Sequence, residues 1–259
     1  MPNEKLINLN ADLGESFGPW VMGDDDAMLD VVGAANLACG FHAGDPDVMR
    51  KTVGACVARG VEIGAHPGYH DLQGFGRRAL KLSTAELENL VAYQVGALAA
   101  VAALEGGRVT HVKPHGALSN QACADAVIAR SIVRAVRAVD PSLVLLAPCA
   151  SALLAEGRDG GLKTVEEAFA DRAYQDDGQL APRGTPGAMV HGAERCAAHV
   201  RSMLDSGGLI ALSGKHIPSR IGSICVHGDG AEAVAVARHL RAELQAAGWR
   251  IVGLTRLAE

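Results

Sequence analysis

The chain has 259 residues, of which 49% are apolar and 3% aromatic, and its formal net charge is −5 at pH 7. This length fits one large α/β domain with a sizeable core, while the acidic balance argues against a nucleic-acid-binding protein. No apolar run approaches the roughly 18 residues that a membrane span requires, and no signal peptide is visible, which predicts a cytoplasmic protein. In that compartment the six widely spaced cysteines are expected to be free thiols.

Strands and helices are predicted to alternate along the first half of the chain. Strand patterns cover residues 6–10, 34–38, 61–65 and 109–113. The helices end near residues 32, 59 and 104, and each begins at a capping residue: one of residues 24–26, Asp45 before Pro46, and Ser83. A glycine-rich loop at residues 66–78 follows the third strand, and loops of that length are often functional.

The second half continues the alternation less regularly. Strands are predicted at residues 143–147, 162–169, 209–213, 222–226 and 250–254, and helices at 122–139, 151–156, 194–204 and 231–247. Residues 171–187 form a loop rich in glycine, proline and charge. Strands that alternate with helices pair in parallel through right-handed crossovers. Seven or eight such units in a chain of this length indicate a single α/β domain. We predict that this domain is a (β/α) barrel that comprises residues 1–259.

Acidic, histidine or lysine side chains follow five of the predicted strands. These residues are Asp12, Glu15, His42, His66, Lys113, His115, His227 and Asp229. Each has a structural interpretation on its own, because carboxylates cap turns and loop histidines form hydrogen bonds. A lysine at a buried strand end is costly unless an anion pairs with it. Because active sites of (β/α) barrels lie at the C-terminal strand ends, the set together predicts one catalytic site.

The remaining histidines have no comparable setting and are expected to be ordinary surface or helix residues. They are His70, His111, His191, His199, His216 and His239. No local spacing encodes a metal site, although His42, His66, His115 and an aspartate from separate strands could assemble one.

Two phosphate-binding patterns are incomplete. Residues 208–216 have five residues between the glycines instead of four, and a histidine follows the lysine. Residues 228–233 match G-x-G-x-x-A, but no acidic residue follows at the distance needed to bind a ribose. The sequence therefore predicts no nucleotide-binding loop in this chain.

Six stretches occur in the order typical of one family, and through them the chain resembles the LamB/YcsF family. They are NLNADLGE at 8–15, ANLACGFHAGD at 35–45, GAHPGY at 64–69 with GFGRR at 74–78, HVKPHG at 111–116, EAFADRAY at 167–174 and VHGD at 226–229. One departure stands out. The family usually continues HVKPHG with one residue and then Leu-Tyr-Asn, whereas this chain has Leu118-Ser119-Asn120.

The resemblance implies an irregular seven-stranded (β/α) barrel, like the glycoside hydrolase/deacetylase barrel. It also implies ATP-dependent hydrolysis of the lactam of 5-oxo-L-proline (pyroglutamate) to L-glutamate, in a 5-oxoprolinase with subunits B and C as partners. ATP is then a co-substrate, and its contacts are expected to lie partly on the partners. The sequence leaves open whether His42, His66 and His115 bind a divalent metal.

Lactam hydrolysis requires an activated water, a donor for the developing oxyanion and a proton for the leaving nitrogen. We expect Asp12 to be the base and Lys113 to stabilise the oxyanion. His42, His66, His115 and Asp229 are candidate proton shuttles or ligands. Arginine forks match carboxylates in a bidentate manner. The candidate substrate-binding residues are Asn10, Glu15, Arg77, Arg78, Glu167, Arg172 and His227.

Two alternatives stay open from the sequence. The chain could be a metal-dependent deacetylase or amidohydrolase that acts alone. It could also be a non-catalytic subunit whose glycine-rich loops bind a ligand or partner.

Overall fold

A computed structural model describes residues 4–226 and 232–258. Its strands in chain order are β1 (Lys5–Leu13), β2 (Ala34–Ala38), β3 (Glu62–His66), β4 (Val109–Val112), β5 (Val144–Pro148), β6 (Lys163–Phe169), β7 (Gly208–Ile210), β8 (His216–Pro218), β9 (Ile221–Cys225) and β10 (Trp249–Ile251). Strands β1 to β6 and β9 pair in parallel in that order, and β9 pairs back with β1. The predicted seven-stranded (β/α) barrel is thereby confirmed.

Helices surround the barrel and connect its strands. They are α1 (Asp25–Leu29), α2 (Pro46–Arg59), α3 (Thr84–Leu104), α4 (Gly116–Ala124), α5 (Ala126–Val139), α6 (Ala152–Asp159), α7 (Ala193–Ser206) and α8 (Ala233–Ala246), with a 3-10 turn at Leu254–Arg256. The capping residues predicted for α2 and α3 are present. Asp45 accepts hydrogen bonds from two backbone N–H groups of α2, and Ser83 forms a capping box with Glu86.

Several elements differ from their predictions. The strand predicted at 250–254 is β10 at Trp249–Ile251, and residue 254 begins the 3-10 turn. The helix predicted at 122–139 is two helices, because the Asp125 side chain accepts from the N–H groups of Val127 and Ile128 and starts α5 anew. The strand predicted at 209–213 is the shorter β7, which pairs antiparallel with β8 outside the barrel. Strand β1 extends three residues beyond its predicted end, so Asp12 lies within the strand.

The expectation that no segment is long and apolar enough to span a membrane is wrong for helix α3. By length and composition alone it could cross a membrane. In the structure one face of α3, with Leu87, Val91 and Leu98, is buried, and the helix packs on α5 and α2 and on the barrel strands β3 and β4. Its Gln94 bonds the backbone N–H and carbonyl of Gly68, which fixes the loop after β3.

Polar side chains hydrogen-bond across the barrel interior. In β1 the apolar residues of odd number pack in the core under the helices. The even-numbered Asn8 and Asn10 point inward, and both bond Ser223 of β9. Asn36 of β2 donates to Asn10 and to Asp12. This network supports the residues at the C-terminal end of the barrel. The six cysteines are buried free thiols, as predicted.

Candidate active site

A cavity of about 550 Å³ opens at the C-terminal ends of the barrel strands. Its volume lies within the range typical of small-molecule sites. The predicted residues that line it are Asp12, Glu15, His66, Arg77, Lys113, His115 and Arg172. Residues far apart in sequence thus converge because parallel strands end at the same face. Ser119, where the chain departs from the family pattern, also lines the cavity.

Lys113 is a buried cation at the cavity floor. Its Nζ lies 2.9 Å from Asp12 Oδ1 and 3.0 Å from Glu167 Oε1. It also contacts Asn10 Oδ1 and Cys225 Sγ. Burial opposes the charge, but Asp12, Cys225 and Glu167 outweigh it and raise the pKa of Lys113 well above its ordinary value. Lys113 is therefore charged at neutral pH, and its three hydrogens already face protein acceptors.

Asp12 is the last inward-pointing residue of β1. Its Oδ1 accepts hydrogen bonds from Lys113 Nζ and, at 2.9 Å, from Asn36 Nδ2. Its Oδ2 lies 3.3 Å from His66 Nε2. One oxygen is thus held by fixed donors, while the other is directed at an imidazole beside the cavity. This arrangement suits a group that exchanges a proton with a water or with His66.

Three imidazoles pack together at one side of the cavity. The rings of His42 and His115 are parallel, with centroids 3.7 Å apart, and the His66 ring stands edge-on to His115. Burial lowers the pKa of His115 to about 3 and that of His42 well below its ordinary value. Both rings are therefore neutral at pH 7.

Two glycines let the loop after β3 cover these rings. A Cβ atom at Gly68 would lie 2.6 Å from His42 Nδ1, and one at Gly76 would lie 2.7 Å from His42 Cβ. Gly76 also has a φ of +62°, which side chains rarely adopt. The loop thereby leaves His42 with no exposed surface, so this residue supports the cavity from behind.

Four side chains could hold a metal ion. Glu15, His42, His66 and His115 each offer one ligand atom, and these atoms lie within 4.8 Å of one another. Glu15 reaches the histidines through a turn at Gly14, whose φ is +67°. Imidazole and carboxylate are ordinary ligands of divalent metals. The three predicted histidines are thus brought together. The carboxylate that completes this group is Glu15, and Asp12 lies beside His66.

Guanidinium groups form another part of the cavity wall. Arg77, Arg172 and Arg183 line it. Arg172 is 7% exposed, and burial, followed by the charge of Arg183, lowers its pKa. Such a wall favours an anionic ligand. Arg78, which was predicted with this group, does not line the cavity, because its guanidinium hydrogen-bonds Asp71.

The other predicted substrate-binding residues take different positions. Asn10 and Glu167 are fully buried beneath the cavity, where Asn10 Nδ2 donates to Glu167 Oε1 at 2.9 Å. Both contact Lys113, so they position this cation rather than face a ligand. His227 and Asp229 lie outside the described residues.

His111 and Arg183 were missed by the sequence analysis. His111 was expected to be an ordinary surface or helix histidine, which is wrong. It is fully buried in β4, and its Nε2 lies 2.9 Å from Asn36 Oδ1. The signal was available, because His111 precedes Lys113 by two residues and strand side chains alternate. Arg183 lies in the loop of residues 171–187, whose path no local pattern predicts.

A closed parallel barrel with acids, histidines and a lysine at its C-terminal end defines a (β/α) barrel with an enzyme-like site. The sequence profile of the LamB/YcsF family matches residues 7–259. The chain is 60% identical to the A subunit of 5-oxoprolinase from Azoarcus sp. (strain BH72) over 253 residues, which cover 98% of this chain and 99% of that protein. The chain belongs to the LamB/YcsF family.

Solved structures agree with this assignment. The crystal structure of the lactam utilization protein from Thermus thermophilus matches with a TM-score of 0.90 at 43% identity, covering 96% of this chain and 99% of that one. A peptidoglycan N-acetylglucosamine deacetylase domain from Eubacterium rectale ATCC 33656 matches with a TM-score of 0.51 at 12% identity, covering 98% of this chain and 90% of that one. The second match shows a similarity of fold alone.

Proposed function

We propose that this chain is the A subunit of an ATP-dependent 5-oxoprolinase, and that its cavity hydrolyses the lactam of 5-oxo-L-proline to L-glutamate. The observation that carries the proposal is the 60% identity, over nearly the full length, to a protein named as the A subunit of 5-oxoprolinase. The likeness to a lactam utilization protein supports the same reaction class. Because that relative is named as one subunit, its name supports a complex of several chains, which we take to include subunits B and C.

The charges of the cavity support one orientation of the substrate. 5-Oxo-L-proline carries one carboxylate, and the guanidinium groups of Arg77, Arg172 and Arg183 suit it. The lactam carbonyl would then face the part of the cavity wall formed by Asp12 and Lys113. An unstrained lactam is a poor electrophile, so this wall has to activate both the water and the carbonyl.

In this proposal Asp12 accepts the proton of the attacking water, because its Oδ2 is the oxygen not bonded to Lys113. Lys113 stabilises the developing oxyanion by its positive charge, since its hydrogens already face protein acceptors. Asp12 then passes this proton to the leaving nitrogen, and His66, 3.3 Å from its Oδ2, flanks the carboxylate. Water-excluded charges of this kind typically act strongly on a transition state.

ATP is the proposed co-substrate. Transfer of the γ-phosphoryl group of ATP to the amide oxygen, with release of ADP, would turn the stable lactam into a better electrophile. Addition of one water, cleavage of the C–N bond with protonation of the nitrogen, and release of inorganic phosphate to a second water would then give L-glutamate. The sequence carries no complete phosphate loop, so we place the nucleotide contacts partly on subunits B and C.

The test is glutamate release from 5-oxo-L-proline by this chain alone, by subunits B and C alone, and by all three together, each with and without ATP. We expect release only from the complete set with ATP. Arg130→Gln, on the outer helix α5, is a matched control that should keep full activity. Lactam opening by the isolated chain without ATP would instead support an amidohydrolase that acts alone. Full activity of B and C without this chain would support a non-catalytic role.

A further inference from the structure

Backbone carbonyls fix the hydrogen positions of two imidazoles in the cavity wall. His66 Nδ1 lies 2.6 Å from the carbonyl oxygen of Lys113, and His115 Nε2 lies 2.8 Å from that of Phe75. A carbonyl oxygen only accepts hydrogen bonds, so each of these ring nitrogens is the donor. In the tautomer fixed in this way, the remaining nitrogens, His66 Nε2 and His115 Nδ1, are the ones that offer lone pairs.

These two lone pairs face each other. His66 Nε2 and His115 Nδ1 are 3.0 Å apart, and both residues are buried. Two carboxylates add further acceptors, since Asp12 Oδ2 lies 3.3 Å from His66 Nε2 and Glu15 Oε1 lies 3.9 Å from His115 Nδ1. A group of acceptors directed at one buried point repels itself unless a cation lies among them.

His42 contributes a second, independent observation. Its ring is fully buried, yet neither ring nitrogen forms a hydrogen bond within the described residues. Its Nε2 lies 3.4 Å from Glu15 Oε1. Buried polar atoms without partners are rare in folded proteins, so this ring, too, is arranged for a ligand.

We propose that Glu15, His66 and His115 bind a divalent transition-metal ion, with His42 as the fourth ligand. The site is part of the same cavity, and the inference rests on the proposed function only for what the ion does to substrate. Nitrogen-rich ligand sets select zinc and its neighbours over magnesium or calcium. Two atoms that are each about 2.1 Å from one zinc ion lie at most about 4.2 Å apart. The separations of 3.0, 3.4 and 3.9 Å satisfy that limit, and all four ligand atoms lie within 4.8 Å of one another.

The ring geometry ranks the ligands. Imidazole lone pairs lie in the ring plane, and the parallel rings of His42 and His115 are 3.7 Å apart. Both cannot point at one ion until one ring turns. His115 is held by the Phe75 carbonyl, whereas a turn of His42 breaks no hydrogen bond that the structure records. His42 is thus the last ligand to join and contributes least to affinity.

The carbonyls of Lys113 and Phe75 have a positioning role in this site. By accepting the far N–H of each ring they fix the tautomer that offers a lone pair, an arrangement that is common behind metal-bound histidines. When bound, such an ion polarises a carbonyl or lowers the pKa of a bound water. Asp12, beside His66, keeps its proposed role as the acceptor of a proton from the attacking water.

The test measures metal binding without turnover. The purified chain is stripped with a chelator, dialysed and titrated with Co²⁺ and Zn²⁺ by calorimetry, and cobalt binding is followed by its visible absorption. We expect one equivalent per chain and a rise in melting temperature. His66→Gln and His115→Gln should lose affinity by on the order of 100-fold or more, because even the loss of an outer partner typically costs 10- to 100-fold. His42→Ala should lose less.

His70→Ala is the matched control, because His70 is an exposed histidine whose ring lies tilted against that of Phe41. It should bind the metal like the wild type. The metal site would be overturned if a folded His66→Gln variant bound the metal as tightly as the wild type, or if the folded wild type bound no stoichiometric metal. The cation between His66 and His115 would then be a shared proton. If the glutamine variants unfold, the melting temperature of the wild type is compared with and without cobalt. A rise with cobalt supports the metal site, and no rise overturns it. A chain that binds metal but supports no lactam opening with B and C would count against the proposed function and not against this site.

Discussion

Lys113 bridges two buried carboxylates, with its Nζ 2.9 Å from Asp12 Oδ1 and 3.0 Å from Glu167 Oε1. The first carboxylate faces the cavity, and the second lies entirely beneath it. Burial raises the pKa of Glu167, while the Lys113 charge opposes this rise. Lys113 therefore stabilises two buried carboxylates in addition to its proposed role in catalysis.

Replacing Lys113 by methionine should destabilise the fold. The change keeps the length of the side chain but leaves Asp12 and Glu167 without their cation. Breaking a buried ion pair by removing one partner typically costs about 3–5 kcal/mol, which urea unfolding at pH 7 would measure. The double variant Lys113→Met/Glu167→Gln should recover part of the loss, because glutamine removes one of the unpaired charges. A double variant no more stable than the single one would contradict this account. Lys215→Met, at an exposed position, is the control.

Asp12→Asn should lower the rate of glutamate release by the reconstituted complex. Asparagine keeps the shape but cannot accept the proton, and positioned acid–base groups typically contribute on the order of 10² to 10⁴ in rate. The melting temperature should fall only modestly, because Glu167 still neutralises Lys113. The decisive readout is kcat at saturating substrate. Near-wild-type kcat would remove Asp12 as the base and leave the histidines as candidates.

Arg172→Gln should weaken substrate binding more than turnover. A charge-assisted hydrogen bond contributes about 1.5–3 kcal/mol, so KM for 5-oxo-L-proline should rise roughly 10- to 100-fold. Arg172→Lys should restore little, because an ammonium cannot form the bidentate contact. Arg130→Gln on the outer face should leave KM unchanged. An Arg172→Gln enzyme with normal KM would place the carboxylate elsewhere in the cavity.

The sequence predicted the barrel and the presence of several candidate site residues in one cavity, because both depend on local patterns. Buried strands, helix caps and the charged residues at strand ends all appear within short windows, as at Asp45 and Lys113. The expected activity came from the resemblance of the sequence motifs to those of the LamB/YcsF family.

What the sequence could not supply depends on contacts between distant strands. Asn36 looks like an unremarkable strand residue until its amide is placed between Asn10 and Asp12. Glu15 becomes a possible metal ligand only because of the backbone conformation at Gly14. The tautomers of His66 and His115 follow from carbonyls at Lys113 and Phe75, which no sequence pattern positions.

The burial of His111 should make the free energy of unfolding depend on pH. Burial, and then the positive charge of Lys113, lower its pKa to about 3. In the unfolded chain a histidine titrates near 6.5. Between these two values the unfolded state binds one proton more than the folded state, so the free energy of unfolding falls as the pH falls. The contribution of His111 is fully present above pH 6.5 and is lost progressively below it.

The expected slope is about 1.4 kcal/mol per pH unit for one such histidine. Urea unfolding between pH 6 and 4.5, with a chelator present, should show His111→Gln to be less stable than wild type at pH 7 but less sensitive to acid by about that slope. The glutamine can still donate toward Asn36 Oδ1, and it cannot take up a proton in the unfolded chain. His191→Gln, at an exposed position, should leave the slope as in wild type. An unchanged slope in His111→Gln would mean that this buried ring does not contribute to acid sensitivity and that other buried groups account for it.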